Sequence, residues 1–511
     1  MRGLHAFSTA LVFVVLVTIA SSGSEPPKKE VPRMKSTNRV VPVVEEESVV
    51  FDWDFTANGA SPLWCYGNTC IVRLGNDVFA SGIETDTSIK VKRGAPNFSL
   101  CNQRWLLFKH AQDGWRLQQK DTSLAREPAP LGCFQDGRVF LSHSPSTRGD
   151  RPEILEFDAK MPGGKYNTLL PYGDARRKYG SSTYRTFTVD GNNGEMMVFY
   201  NVGLTHSDWA FRNRDGKWSA RGKLRWPKRK DTSITPYGPL ARVNYPTVML
   251  KNRAVHFAGA AAYNRWARVS AKNRNLAGRR YGNRWRRLFY TWTPDITKKG
   301  FSRWIEVGST HDTGGWLFPG DLWVDDESVA HIAWFEAPVN EELREQHFPD
   351  LKYVYSLKYA RVKDGKVLLR RTLAEGGEGK SPEIPGYCVS GAYVRYPSKK
   401  EKDGYLQQRV AGRGQPRFHV LPNGRLFALY FVGGTDADGQ ELAENRLIEI
   451  LPDGSTGAPV RIPLEHPLIE YFVATPRGGS RPSAFIDVLG YRKSTLMKKI
   501  CYARIRLTEG R

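Results

Sequence analysis

The chain has 511 residues and carries 76 Lys plus Arg against 52 Asp plus Glu, a formal net charge of +24. With 40% apolar and 25% charged residues it has the composition of a folded globular protein, which excludes wholesale disorder. The charge surplus points to a polyanionic partner: nucleic acid, anionic membrane or acidic polysaccharide.

The N-terminus decides among these. Arg2 precedes an apolar run over residues 10–20, and the small residues Ala20, Ser21, Ser22 and Gly23 follow. This reads as a cleavable export signal over 1–22, because the run is short for a membrane span and lacks a stop-transfer flank. No later segment is long and apolar enough to span a membrane as a helix. A secreted or periplasmic protein is expected. Export removes nucleic acid as the expected partner and leaves acidic polysaccharide. The six cysteines suit an oxidising compartment. They are too sparse for a disulfide scaffold, and one or two bridges of unread pairing fit them. Zinc-ligand spacing is missing, so no metal and no cofactor is expected.

Residues 23–47 are rich in Pro, Lys and Glu and read as a flexible lead-in. From residue 48 to 511 short β-rich stretches recur, separated by turn signals, with almost no amphipathic helix. The turns fall at Asp77, Asp136, Asn192, Asn252, Asp326, Asn423 and Gly478, with gaps of 59, 56, 60, 74, 97 and 55 residues. Seven units of about 57 residues, two with insertions, account for the domain. Four strands per unit at such a period mean an all-β fold, a seven-bladed β-propeller of four-stranded antiparallel blades. The seventh unit ends early, at 500–507. Val49–Phe55 is placed to supply its outer strand and close the ring. Insertions are expected at 262–287, 336–353 and 374–411, and a monomer is expected.

The second hairpins carry Asp-Gly-x-Trp or its remnants: Asp215-Gly216-Lys217-Trp218, Asp113-Gly114-Trp115 and Asp364-Gly365-Lys366. Here Asp caps the turn, Gly takes the left-handed position and Trp packs between sheets. With the paired blade starts Thr183-Tyr184-Arg185-Thr186 and Asn244-Tyr245-Pro246-Thr247, the sequence resembles the BNR-repeat (Asp-box) propellers, over about residues 60 to 507. These include sialidase-like proteins and ulvan lyases. The resemblance implies an active face carrying His, Tyr and Arg. One departure stands out: the lyases carry a further His at the blade start that here reads Arg126-Glu-Pro-Ala-Pro-Leu131.

With strands lettered A to D from the axis outward, the A–B turns share the bottom face. The B–C loops (83–103, 142–153, 201–210, 262–287, 336–353 and 433–446) and the D–A connections share the top, where long loops carry function. His143 ends strand B of blade 2, His206 lies in the B–C loop of blade 3, and His311 and Trp316 lie between blades 4 and 5. Tyr184 and Tyr245 open strands A of blades 3 and 4, flanked by Arg185, Arg242 and Arg265. His256, His331 and His419 alternate within apolar strands and read as packed positions. Taken singly, each tyrosine reads better as a repeated packing residue. Together, three residue types suited to acid–base chemistry share one face.

Residues 264–287 hold nine Lys or Arg, no acid, and the interleaved Trp266, Tyr281 and Trp285. Arginine forks such as Arg265 and Arg268 bind carboxylate or sulfate, and aromatic faces stack on sugars. Residues 212–230 are also basic, with nine Lys or Arg and one Asp, whereas 321–350 hold nine acids and one Arg. Charge is thus polarised around the ring. The primary expectation is a lyase for a uronate-bearing or sulfated glycan. His143 or His206 would serve as base and Tyr184 or Tyr245 as acid. Arg265 or Arg185 would clamp the carboxylate, and Arg242, Trp266, Arg268, His311 and Trp316 would bind substrate. The alternatives are a non-catalytic glycan-binding propeller and a sialidase-like hydrolase. The hydrolase would need a carboxylate arrangement not evident in the sequence.

Overall fold

The computed structural model describes residues 39–510 apart from 55–57, 59, 64–66, 90–99, 145–151, 174–185, 203–204, 229–239, 263–284, 340–343, 345–346, 353, 378–415, 436–440, 474–477 and 493–497. The strands form seven four-stranded antiparallel sheets, each a blade. Blades 1 to 6 are built from consecutive strands over residues 71–120, 131–169, 186–225, 243–309, 314–377 and 417–462. Blade 7 takes its inner three strands from residues 468–509 and its outermost from Val40–Asp52. No helix among the described residues is long and apolar enough to cross a membrane.

Neither face of a blade meets water, so strand B of a blade reads as a continuous apolar run. In blade 3, Met196, Val198 and Tyr200 pack towards blade 2 and Met197 and Phe199 towards blade 4. The period of two is intact, but both faces are buried. The same division of side chains fills the gaps between the other neighbouring blades. The largest cluster joins blades 6, 7 and 1, and reaches Leu63, Tyr245 and Phe318.

All seven turns anticipated between strands A and B lie there. The three Asp-Gly turns of the second hairpins lie between strands C and D, with Gly114, Gly216 and Gly365 at positive φ. His256, His331 and His419 are buried in their strands. The closing strand is longer than Val49–Phe55. It runs from Val40 to Asp52 and pairs antiparallel with Lys499–Glu509, from Val40 opposite Glu509 to Asp52 opposite Lys499. Residues 40–47, read as lead-in, are therefore paired strand. Their glutamates meet basic partners: Glu45 lies 2.6 Å from Arg506, Glu46 2.9 Å from His110 and Glu47 3.4 Å from Arg492. Two B–C loops are also shorter than expected. In blade 3 strand B runs to Val202 and strand C starts at His206. In blade 6 they run to Thr435 and from Glu441.

Candidate functional site

The top face is built where strands B end and strands A and C begin. His143 is the last residue of strand B of blade 2 (Arg138–His143) and is buried. Its Nε2 lies 3.1 Å from Oδ2 of Asp121, which follows strand D of blade 1. Ser123 completes a Ser–His–Asp grouping, its Oγ 3.4 Å from the same Nε2. A relay needs carboxylate and hydroxyl on opposite ring nitrogens. Here both address one nitrogen, and Ser123 Oγ also donates to both Asp121 oxygens at 3.0 Å. Burial pushes the Asp121 carboxyl up, but the hydrogen bonds from His143 and Ser123 outweigh it and hold it below its ordinary value. This grouping braces blade 1 against blade 2.

His206 opens strand C of blade 3 (His206–Arg212) and is half-buried. Its Nδ1 lies 2.7 Å from Thr205 Oγ1, and its Nε2 3.2 Å from Asp208 Oδ1. Oxygen atoms thus stand at both ring nitrogens of an imidazole that is partly reachable from the surface.

Tyr245 lies in strand A of blade 4 (Val243–Lys251), where the pairing with strand B slips between Asn244 and Thr247. Pro246 has no N–H to give the ladder, and a bulge absorbs it. Tyr245 takes φ +49°, a region few non-glycine residues adopt. Its ring is buried, edge-on to Trp285 with centroids 4.6 Å apart and stacked on Phe318 at 6.0 Å.

What lies above it explains the burial. The segment entering blade 1 crosses the inner strands of three other blades. The Thr69 carbonyl accepts from Leu131 N of blade 2 at 2.9 Å. Asn68 Oδ1 accepts from Thr186 Oγ1 and Phe187 N of blade 3 at 2.9 and 2.7 Å. A methyl group on Gly67 would sit 1.8 Å from the Pro246 carbonyl oxygen of blade 4, so only glycine fits. Leu63, fully buried, joins Tyr245 and Phe318 in one cluster. The described part of residues 63–70 thus covers the axis at the top face, where the expected mouth would open.

Arg242 is half-buried and its carbonyl accepts from Asn244 Nδ2 at 3.3 Å. His311 is buried, and its backbone N–H donates to Ser309 Oγ at 3.3 Å. Trp316 packs between blades 5 and 6, 5.6 Å from the Tyr355 ring. The structure brings Tyr245, Trp285 and Trp316 to one cluster, while His143 is tied to the end of blade 1 and His206 to neighbours in its own blade. Tyr184, Arg185, Arg265, Trp266 and Arg268 lie outside the described residues. Sequence reasoning missed Asp121 and the covering segment. For Asp121 a local signal exists: Asp-Thr-Ser, in which the Ser123 N–H returns to Asp121 Oδ1 at 2.9 Å. For Asn68 there is none, because its partners are 118 and 119 residues away.

No protein-family model matches the chain, and no curated protein matches it. Solved structures do. A protein of unknown function from Dyadobacter fermentans covers 91% of this chain and 99% of its own at 9% identity, with a TM-score of 0.41. A mutant of the Synechocystis apocarotenoid oxygenase covers 93% and 96% at 10% identity and 0.41. The GH93 α-L-arabinofuranosidase of Fusarium graminearum, solved with arabinobiose, covers 73% and 91% at 11% identity and 0.31. At these identities and scores the likeness is one of fold and carries no argument about activity; the fold itself is a seven-bladed β-propeller.

Proposed function

We propose that the protein is an exported, monomeric propeller that binds an acidic polysaccharide, uronate-bearing or sulfated, through the basic insertion of blade 4. The observation that carries this reading is the insertion's composition: seven Lys or Arg and no acid over 264–284, with Trp266 and Tyr281 interleaved. It hangs between strands B and C of blade 4, which end at Ala262 and resume at Trp285. Guanidinium forks grip carboxylate or sulfate in pairs, and the aromatic residues give sugar rings a stacking face. The covered axis and the buried His143 and Tyr245 favour binding at the rim over chemistry at the centre.

The test is retention of the mature chain on ulvan, pectin and glycosaminoglycan columns across a salt gradient. Retention that weakens as salt rises, and is lost when Arg265, Arg268, Arg279 and Arg280 become Ser, is the expected result. Equal retention on DNA would overturn the preference for glycan, and passage through every column would overturn the reading.

His206 favours a second reading, β-elimination. Its place at the surface end of strand C, partly exposed beside Asp208, suits removal of the proton alpha to a uronate carboxylate, with Tyr184 or Arg185 of the same blade assisting. New ultraviolet absorbance from unsaturated uronate, reduced by about two orders of magnitude in His206→Ala, would establish it. Binding without any absorbance change leaves the non-catalytic reading.

A further inference from the structure

Blade 2 ends in a short outer strand, Asn167–Leu169, whereas strand D of blade 3 runs over eight residues, Trp218–Arg225. Register shows which of those residues face blade 2. Arg221 pairs with Ala210, Lys223 with Asp208 and Arg225 with His206, and directly opposed residues project to the same side. Ala210 packs in the cluster between blades 2 and 3, whereas Ala220 and Leu224 pack in the cluster between blades 3 and 4. Arg221, Lys223 and Arg225 therefore point towards blade 2. All three are exposed, because the short strand opposite does not cover them. At every second position of a strand they stand about 7 Å apart, a line of about 14 Å.

The line is not neutralised. Among the described residues no carboxylate lies within ion-pair distance of Arg221, Lys223 or Arg225. Arg221 Nε donates to the Pro171 carbonyl at 2.9 Å, which anchors it between the blades. The acids on this side have other partners. Glu156 lies 3.3 Å from Arg138 and 4.0 Å from Arg212, and the buried Asp208 lies 3.2 Å from His206. Strand D of blade 1 behaves differently: its Arg116 and Lys120 meet Asp113 and Glu84 at 2.5 and 2.7 Å. Beside the line, Leu169, Tyr172 and Trp218 are partly buried against the cluster between blades 2 and 3 and give the gap an apolar floor.

Three unanswered cations in a row suit a partner that repeats its negative charge along a line. A single oxyanion needs donors that converge on it, and these stand too far apart to share one. A flat anionic membrane would need them on the outermost surface, whereas they lie on a side wall turned to the next blade. We propose that this wall is a second track for the acidic polysaccharide, with successive carboxylates or sulfates on Arg221, Lys223 and Arg225. The proposal rests on the proposed function for the kind of polymer and adds a contact that the basic insertion does not supply. Strand D rises from the Asp215-Gly216 hairpin to the top face, where strand C opens at His206. The track thus leads towards the rim from which the insertion hangs, and two contacts on one chain strengthen binding together.

The test measures affinity of the whole mature protein for polygalacturonate and chondroitin sulfate across a salt series. Three proteins are compared, each checked for an unchanged melting temperature: wild type, Lys223→Ser with Arg225→Ser, and a charge-matched control on blade 5, Lys366→Ser with Arg371→Ser. The track variant should bind one of the polymers about fivefold more weakly at low salt, the loss of two exposed ion pairs. Its salt dependence should be shallower, because fewer counterions are released. The control should bind as wild type does. A track variant that binds normally, or a control that loses as much, overturns the inference and leaves the proposed function standing on wild-type binding. Binding that weakens in the track variant but not when Arg265, Arg268, Arg279 and Arg280 become Ser overturns the insertion's role and leaves the track. Tighter binding to single-stranded DNA or to phosphatidylglycerol vesicles than to either glycan overturns both.

Discussion

Blades 3 and 4 meet through aromatic rings, whereas blades 7 and 1 add a buried charge network to their apolar contacts. At the first seam Phe257 faces Phe199 at 5.2 Å, Trp304 at 5.7 Å and Trp226 at 6.3 Å. At the second, Arg73 of blade 1 forks onto Asp487 of blade 7 at 2.6 and 2.7 Å. Tyr502 donates to the same carboxylate at 2.6 Å, and Arg504 donates to the Tyr502 hydroxyl at 3.0 Å. Trp115 packs edge-on to both Tyr502 and His110, at 5.0 and 5.2 Å. The difference follows from connectivity. Blades 3 and 4 are consecutive, so any well-shaped apolar contact will seat them. The inner three strands of blade 7 come from the other end of the chain and meet blade 1 only when the ring closes, and a directional ion pair marks the correct partner there, a role buried charge fills in some proteins.

The comparison can be broken most sharply at Asp487. Asp487→Ala strands the Arg73 guanidinium and should cost about 3–5 kcal/mol in denaturant unfolding. Replacing the group together, Arg73→Met with Asp487→Leu and Tyr502→Phe, should recover most of that loss. A single substitution costing less than about 1 kcal/mol would show that the seam does not depend on the pair. Phe257→Ala in the aromatic seam should cost a similar amount, about 3–5 kcal/mol, but with no salt dependence and no charge-swapped rescue.

Acid gives the next largest effect. His419 lines a small cavity with Arg73 and Asp487, while His256 is bonded to Tyr290 at 2.7 Å in blade 4. Burial pushes both imidazoles down to about 4 from an ordinary 6.5. The unfolded chain therefore takes up protons that the folded chain refuses. Stability is full above about pH 6.5 and falls as pH drops towards about 4, by about 3 kcal/mol for each imidazole. His419→Gln and His256→Gln should each flatten that fall relative to wild type. A larger effect at His419 would show the seam's charges acting on it. The smallest effect is expected at the rim of the closing strand, where Glu45 and Arg506 are partly exposed. Glu45→Gln should change stability by less than about 1 kcal/mol, less still in high salt.

The ring was legible because its marks are local. Asp136-Gly137 and Asn423-Gly424 are turns by their own chemistry, with both glycines at positive φ. Their spacing is enough to count blades. The shortened loops were misread because their residues are polar. Asn201, Ser207 and Asp208 look like loop residues but are buried strand residues, and the charged Glu444 is strand paired to Arg446 at 2.8 Å. The site was less legible for a similar reason. A histidine at a strand end looks available until Asp121, 22 residues earlier, is placed against it. Nor does Gly67 announce that it lies across Pro246. Long-range contacts decide these positions, and a single sequence does not display them.

The Gly510 N–H donates to the Arg39 carbonyl at 2.6 Å. Beside it Val40 faces Glu509 at the end of the outer strand pair of blade 7. The polypeptide is thus almost a closed loop, with its seam along the outside of one sheet. A short peptide bridging residues 510 and 39 would complete that loop in covalent form. New ends could then be opened at an exposed hairpin, such as Asn423-Gly424, and blade 6 would then be assembled from both ends of the chain as blade 7 is now. The ring has no intrinsic first blade, and the order in which its blades are made is a property of the gene, not of the fold.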